Sequence, residues 1–411
     1  MTSITFSDEA IALRDYLVRL RRSLHAEPEV GLALPRSQEK VLASLDGLGL
    51  QISTGSRLSS VTAVLRGARP GPAVLLRADM DALPVAERTG LAFASTTEGV
   101  MHACGHDLHT TMLIGAAHLL AARRQDLAGD VVLMFQPGEE GWDGAGAMLA
   151  EGVLDAAGHR PIAAYALHVF TTGFRHGTFM ARSGPTMAAT NDVDVTITGA
   201  GGHSSAPHRA KDPVPAACEI VTALQTMVTR ICDPFDPVVL TVGSFHAGTR
   251  RNVIPETARF EGTVRTFSDQ AQSRMKDAVM NLVRQVAAAH GLRAQVEFTK
   301  RYPVTVNDEH ETAFVEATVN EAFGEHRFQP LPHPLTGAED FSRVLNEVPG
   351  SLVMLGAAPA GADPEAVNNN HSPYAEFDES VLCDGAALYA HLAARRLAIS
   401  STAHHTLVSP S

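Results

Sequence analysis

The sequence predicts an α/β protein whose main domain is split in two by an inserted, ferredoxin-like α+β domain. Three observations predict it. Short apolar runs of the kind buried in parallel sheets alternate with helical stretches. From about residue 191 the pattern changes to strict alternation, Val193, Val195 and Ile197 against Asp192, Asp194 and Thr196. Apolar runs of the first kind return after about residue 300, as in Ser351-Leu-Val-Met-Leu355. At roughly 100–200 residues per domain, 411 residues leave room for two or three domains.

The elements follow in order. Leu13, Leu17, Leu20 and Leu24 mark one face of a first helix, with Ser7 able to cap it and Asp8 and Glu9 suited to its positive end. A second helix is expected over about 36–48, with Val41, Leu42 and Leu45 inward and Gly47 and Gly49 at its exit. Buried strands are expected at Ala73-Val-Leu-Leu-Arg77, Asp130-Val-Val-Leu-Met-Phe135, Ala163-Ala-Tyr-Ala-Leu167 and Ser351–Leu355, and a helix over Asp107–Arg124. In the middle segment a strand from about 191, a helix over about 213–231, strands at about 237–245 and 257–267, a helix over about 269–290 and a last strand at Val296 and Phe298 give β-α-β-β-α-β. The expected domains are therefore 1–186 with 300–400, an insert at 187–299, and a flexible tail at 401–411.

Composition narrows the function classes. Thirty-three Lys and Arg against 45 Asp and Glu give a net charge of −12 with no dense basic patch, which argues against nucleic acid and anionic membrane surfaces as partners. Four scattered cysteines do not make a disulfide framework, and no run of about 18 apolar residues makes a membrane span. The acidic start, with Asp8, Glu9 and Asp15, does not read as a signal peptide, so a cytoplasmic location is expected.

Open α/β sheets bind ligands beyond the carboxyl ends of their strands, and here those ends are loaded. Asp79 and Asp81 end one strand, Glu139 and Glu140 follow another, and His168 ends a third. The segment Met101-His-Ala-Cys-Gly-His-Asp-Leu-His109 packs three histidines, a cysteine and an aspartate into one loop and helix start. Thiolate and imidazole on either side of Gly105 suit a borderline-soft ion; a helix-capping loop with incidental histidines is the plainer reading. Adjacent carboxylates such as Glu139-Glu140 are usually a solvated loop, but in a site they can divide labour between metal binding and proton transfer. Asp81 fits a turn before Pro84, or a partner that orients a metal-bound histidine. His371 lies in a polar Asn368-Asn-Asn-His loop. In the insert, His203 follows Gly199-Ala-Gly-Gly202, either a glycine-rich hairpin tip or a place where backbone approaches a ligand. Arg250, Arg251 and Asn252 suit a substrate carboxylate, or a solvated strand end.

Taken together, these segments resemble the M20 metallopeptidase family, in its branch of hippurate hydrolases, N-acyl-amino-acid aminoacylases and auxin-conjugate hydrolases. The resemblance is carried by Leu24-His-Ala-Glu-Pro-Glu29, Ala78-Asp-Met-Asp-Ala-Leu-Pro84, Met101–His109, Phe135-Gln-Pro-Gly-Glu-Glu140, Leu167-His168, Gly201-Gly-His203, Asn252-Val-Ile-Pro255, Gly337-Ala-Glu-Asp-Phe341 and His371-Ser-Pro373. It covers about residues 20–380 in the family's order. It implies two divalent metal ions per subunit held by Cys104, His106, Glu140, His168 and His371, with Zn²⁺ the first expectation and Mn²⁺, Co²⁺ or Ni²⁺ as alternatives. It implies Glu139 as general base, Asp81 as support for the metal site, His203 as a lid histidine that reaches a partner's active site, Asn252 as a substrate contact, and a homodimer formed through the insert. Asp79 stands where the wider family's peptidases carry a histidine ligand, which favours the amidohydrolase branch and leaves open which residue bridges the metals.

The implied reaction is hydrolysis of the amide of an N-acyl amino acid to a carboxylic acid and a free amino acid. Two metals about 3.5–4 Å apart would lower the pKa of a shared water towards 7. Glu139 would take and return the proton, with His203 facing the oxyanion. Three other readings stay in play. The chain could be a dipeptidase or carboxypeptidase of the same family, a thiol hydrolase using Cys104 with His102 or His106, or a non-catalytic binder of N-acyl amino acids.

Overall fold

The computed structural model describes residues 6–407, and the chain forms two compact units. The first comprises Met1–Thr186, Val306–His333 and Arg343–Ser411, and the second Met187–Thr305 and Pro334–Ser342. The second unit thus runs past the expected limit at 299 and takes in 334–342, a stretch the sequence pattern places in the main domain. Backbone bonding explains the addition: Ala188 N–H donates to the carbonyls of Leu335 and Gly337 at 3.1 and 2.9 Å.

The first unit is built on an eight-stranded mixed sheet. Its order is Gln51–Thr54, Val61–Arg66, Ala128–Gln136, Arg69–Asp79, Pro161–Phe170, Gly350–Gly356, Phe179–Ala181 and Phe328–Pro330. The middle four, from Ala128–Gln136 to Gly350–Gly356, run parallel. Val74, Leu75, Leu76, Val131, Val132 and Leu133 are fully buried, as continuous apolar strands covered on both faces must be. The carboxyl ends of the four parallel strands share one edge of the sheet, and the loops leaving three of them carry Asp81, Glu139 with Glu140, and Thr171 onward.

The first expected helix is two, Phe6–Ala12 and Arg14–Ala26. Leu13 N–H bonds Ala10 O, three residues back, and this tightened turn breaks the helix; Ser7 lies inside the first segment, past its described start at Phe6. Leu17 and Leu24 are buried as expected, but the stripe also contains Arg21, which is buried too. The second helix spans Pro35–Leu45, and the expected 107–124 helix spans His106–Ala122. The last helix runs Val381–Leu407 and packs on His106–Ala122 and on strand Arg69–Asp79. Part of the expected tail is therefore helical, and 408–411 lie outside the described residues. Tyr389 on this helix donates to Arg77 O at 2.6 Å and accepts from Leu167 N at 2.8 Å, fastening two neighbouring central strands.

The second unit has an antiparallel sheet in the order Val238–Ala247, Thr257–Thr266, Ala189–Thr198, Arg293–Tyr302. Helices Pro213–Ile231 and Asp269–Ala289 bury Ile220, Leu224, Met275 and Val279 against Val193, Val195, Ile197 and Phe260. Asp212 and Ser268 cap these helices, accepting from Val214 N and Ala271 N. The chain order is the expected β-α-β-β-α-β. Among the described residues no helix is long and apolar enough to cross a membrane.

Candidate metal centre and active site

Gly105 sets the geometry of the site. It has a left-handed φ of 82°, and a Cβ there would stand 2.4 Å from Val169 Cγ2 and 3.1 Å from the Phe377 ring. Only glycine satisfies both the dihedral and the space. The turn it makes places Cys104 before and His106 at the start of the buried helix, so their side chains converge.

Around Cys104 the structure brings together all five residues named as ligands from the resemblance. Cys104 Sγ lies 3.2 Å from His371 Nε2 and 3.6 Å from His168 Nε2. Glu140 Oε1 lies 3.1 Å from His371 Nε2. Ligand atoms of Cys104, His106 and His168 fall within 4.8 Å of one another, and so do those of Cys104, Glu140 and His371. Cys104 is the residue common to these two triads. Glu139 joins a third group with His106 and Glu140 and is buried. His371 holds a left-handed φ of 70°, rare for a side chain of its kind, and its N–H is tied to Ala103 O at 2.8 Å.

The donor chemistry fits divalent metal. His168 is driven well below the ordinary histidine range by burial and the neighbouring His109, which leaves a neutral imidazole. Its Nδ1 faces Val169 O at 2.9 Å, so Nδ1 carries the proton and the Nε2 lone pair faces Cys104. His371 is pushed up to about 10 by hydrogen bonds to Cys104 and Glu140. For His106, burial disfavours charge, but Asp79 and Cys104 outweigh it and hold it well above its usual value. The buried ring nitrogens of His106 have only long contacts, to Asp81 Oδ1 at 3.4 Å and Asp79 Oδ2 at 3.7 Å, and Glu140 Oε1 is held by its ion pair with His371. Two imidazoles held towards their protonated form thus stand beside Cys104 and two carboxylates, a donor set whose demand for positive charge dications would meet.

Surrounding groups hold this cluster. Asp81 accepts the N–H of Glu139 and of Glu140, and its Oδ1 lies 3.4 Å from His106 Nδ1. Below the loop, Asp107 pairs with Arg21 Nε at 2.8 Å and with His25 Nδ1 at 2.8 Å, and His25 Nε2 reaches Glu87 at 3.2 Å. Burial opposes charge on Asp107, but Arg21 and His25 hold its carboxyl well below the usual range. Motif residue His25 was visible in the sequence without a role; pairing across 82 positions gave no local sign of one. His102 is pushed down to about 3 by burial, and neither of its ring nitrogens hydrogen-bonds, so it is not a bonded base for Cys104.

His203, Arg250, Arg251 and Asn252 belong to the second unit. There His203 pairs with Val253 across a two-stranded ladder, and Ser204 N–H donates to Asn252 O at 3.2 Å. Ser205 N–H donates to His203 Nδ1 at 3.2 Å, which leaves the ring proton on Nε2. Arg250 and Arg251 are exposed and line an open cavity of about 540 Å³ with Ser204, Asp212 and Pro255.

A mixed α/β sheet carrying this thiol–imidazole–carboxylate cluster, with a buried second carboxylate beside it and a separately folded α+β unit, defines a metal-dependent hydrolase. Residues 75–395 match the pattern of peptidase family M20/M25/M40, and the chain belongs to that family, on its amidohydrolase branch. It is 36% identical to N-acetyl-L-cysteine deacetylase of Bacillus subtilis over 94% of this chain and 89% of the relative. It is 35% identical to thermostable carboxypeptidase 1 of Saccharolobus solfataricus over 93% of this chain and 96% of the relative. Among solved structures it resembles the Bacillus subtilis YXEP protein, a dinuclear metal-binding peptidase of the M20 family, with a TM-score of 0.80 and 31% identity over 94% of this chain and 99% of that one.

Proposed function

We propose that this protein hydrolyses the amide bond of N-acyl amino acids, releasing a carboxylic acid and the free amino acid. The observation that carries the reading is the pairing of a five-donor cluster with a second buried carboxylate, Glu139, whose oxygen lies within 4.8 Å of ligand atoms of His106 and Glu140. A binding protein needs the donors but not the extra base, and a thiol hydrolase needs one histidine beside Cys104 rather than three.

The residues fit two divalent ions, which Cys104, His106, Glu140, His168 and His371 would hold, with Cys104 common to both donor triads. Zn²⁺ suits this mixed thiolate, imidazole and carboxylate set, with Co²⁺, Ni²⁺ and Mn²⁺ as alternatives. When bound, the metals supply a nucleophile at neutral pH and polarise the substrate carbonyl. Glu139 removes the proton from the attacking water and returns it to the leaving amine, so no amide anion is expelled. Asp81 holds the backbone of Glu139 and Glu140 in place while this happens. His203, with its proton on Nε2, is suited to donate to an oxyanion, and Asn252, Arg250 and Arg251 to a substrate carboxylate. The similarity to an N-acetylcysteine deacetylase supports an N-acyl substrate. The similarity to a carboxypeptidase supports a second reading, in which the acyl group is itself an amino acid. A homodimer formed through the second unit is part of the proposal and follows from the family resemblance.

The test is release of primary amine from N-acetyl, N-benzoyl and longer N-acyl amino acids beside matched dipeptides, before chelation, after it, and after Zn²⁺, Co²⁺ or Mn²⁺ is restored. Metal-restored turnover of the acyl amino acids is expected. Turnover of dipeptides alone selects the second reading, and chelator-resistant turnover overturns both.

A further inference from the structure

We infer that His109 is a positioning residue rather than a metal ligand, and that it acts on His168 through the peptide of Val169. The inference rests on the proposed role of His168 in the metal centre. His109 is fully buried, three positions beyond His106. Its ring stacks on that of His106 at a centroid distance of 5.3 Å and meets the His168 ring edge-on at 4.7 Å. A histidine in that place looks like a ligand, and Asp79, His106 and His109 do cluster within 4.8 Å.

The hydrogen bonds say otherwise. Val169 N–H donates to His109 Nε2 at 2.8 Å, so that nitrogen's lone pair is already used. The proton must then sit on Nδ1, which donates to Asp79 Oδ1 at 2.6 Å. Asp79 is equally committed: its other oxygen accepts from Arg77 Nη1 at 2.8 Å, and all three side chains are fully buried. His109 has no lone pair to offer without breaking a buried hydrogen bond, and each Asp79 oxygen already accepts one.

The chain continues past His109. Val169 donates its N–H to His109, and its carbonyl accepts from His168 Nδ1 at 2.9 Å and from Asn370 Nδ2 at 2.9 Å. One peptide segment is therefore held on its N–H side by His109 and on its carbonyl side by Asn370, the neighbour of His371. Its carbonyl fixes the tautomer that leaves His168 Nε2 free to face Cys104. Arg77, Asp79, His109 and Val169 thus form a buried line ending at a ligand nitrogen. Outer partners of this kind commonly contribute about 10–100-fold to metal affinity.

Two conservative variants separate the links. In His109→Asn the amide NH₂ can replace Nδ1 towards Asp79 but nothing accepts the Val169 N–H. In His109→Gln the amide oxygen can replace Nε2 towards Val169 while the donor to Asp79 is lost. Each apoprotein is melted, then titrated with Co²⁺ while the ligand-field and thiolate-to-cobalt bands are followed. The expected result is two bound Co²⁺ in all three proteins, with one of them weakened about 10–100-fold in the Asn variant and near wild type in the Gln variant, at similar apoprotein melting temperatures. Equal weakening in both variants overturns the route through Val169. Loss of one Co²⁺ site from both makes His109 a ligand. Wild-type affinities in both overturn its role. A wild-type protein that binds no Co²⁺ overturns the metal centre, and this inference with it.

Discussion

Asp81 Oδ1 accepts the backbone N–H of Glu139 at 3.0 Å, and its Oδ2 accepts that of Glu140 at the same distance. One side chain thereby fixes the backbone of both the proposed base and a proposed ligand. Asp81→Ala strands two N–H groups, each costing about 1–3 kcal/mol if left unpaired. Metal affinity is expected to fall about 10–100-fold, and kcat to fall further than metal occupancy explains. Equilibrium dialysis beside kcat at saturating metal checks this. An Asp81→Ala protein with wild-type kcat at full occupancy would contradict it.

Glu139→Gln separates proton transfer from metal binding. The amide keeps the shape and removes the base, so kcat is expected to drop at least about 10²–10⁴-fold with metal content intact. Measured loss of metal would mean that Glu139 is a ligand and that its role has been exchanged with that of Glu140.

Gly105→Ala tests the turn beneath the centre. The left-handed backbone and the 2.4 Å approach to Val169 together predict a loss of more than about 2 kcal/mol in denaturant unfolding. Because Cys104 and His106 flank it, metal affinity is expected to fall as well. An Ala variant with unchanged midpoint and metal content would show that the turn relaxes freely.

His391 gives a pH dependence outside the proposed metal centre. Burial, helped by Arg395, pushes it down to about 4, and Nε2 accepts the N–H of Phe6 at 3.3 Å. The unfolded chain therefore takes up the proton first as pH falls. The stability that the neutral ring contributes is complete above about 6.5 and is lost between about 6.5 and 4, up to about 3 kcal/mol. His391→Gln is expected to flatten the melting temperature against pH in that window relative to wild type. Parallel curves would remove His391 as the cause.

Arg250 and Arg251 carry the remaining prediction. With both changed to Gln, KM for N-acyl aspartate or glutamate is expected to rise several-fold more than KM for N-acyl leucine. An equal change for acidic and neutral substrates would remove these guanidinium groups from side-chain recognition.

Much of this was legible in the sequence where the pattern is local. The alternation at Val193, Val195 and Ile197 and the apolar run Val131–Phe135 each report one or two buried faces directly. The five donors around Cys104 were legible as a set only through the family resemblance: His168 ends an apolar run, but His371 lies in a polar asparagine loop and Glu140 in a pair that reads equally as a solvated loop. What stayed hidden is long-range or lacks an apolar signature. Gln51–Thr54 is exposed in all four residues and so has no run to read. Phe179–Ala181 and Phe328–Pro330 are three residues each, too short for a period to show. The partners of Asp79 and His25 lie up to 82 positions away, and a buried Arg21 on a leucine stripe looks in sequence like an exposed one.

Tyr389 has a consequence for how the protein is made. Its hydroxyl joins Arg77 to Leu167, so the spacing of the strands leading to Asp79 and His168 is fixed by a residue 222 positions beyond Leu167. A nascent chain that has already released Cys104, His106, Glu140 and His168 still lacks both His371 and that fastening. The proposed metal centre is therefore complete only once the chain has been made as far as Tyr389, after the strands that carry most of its donors.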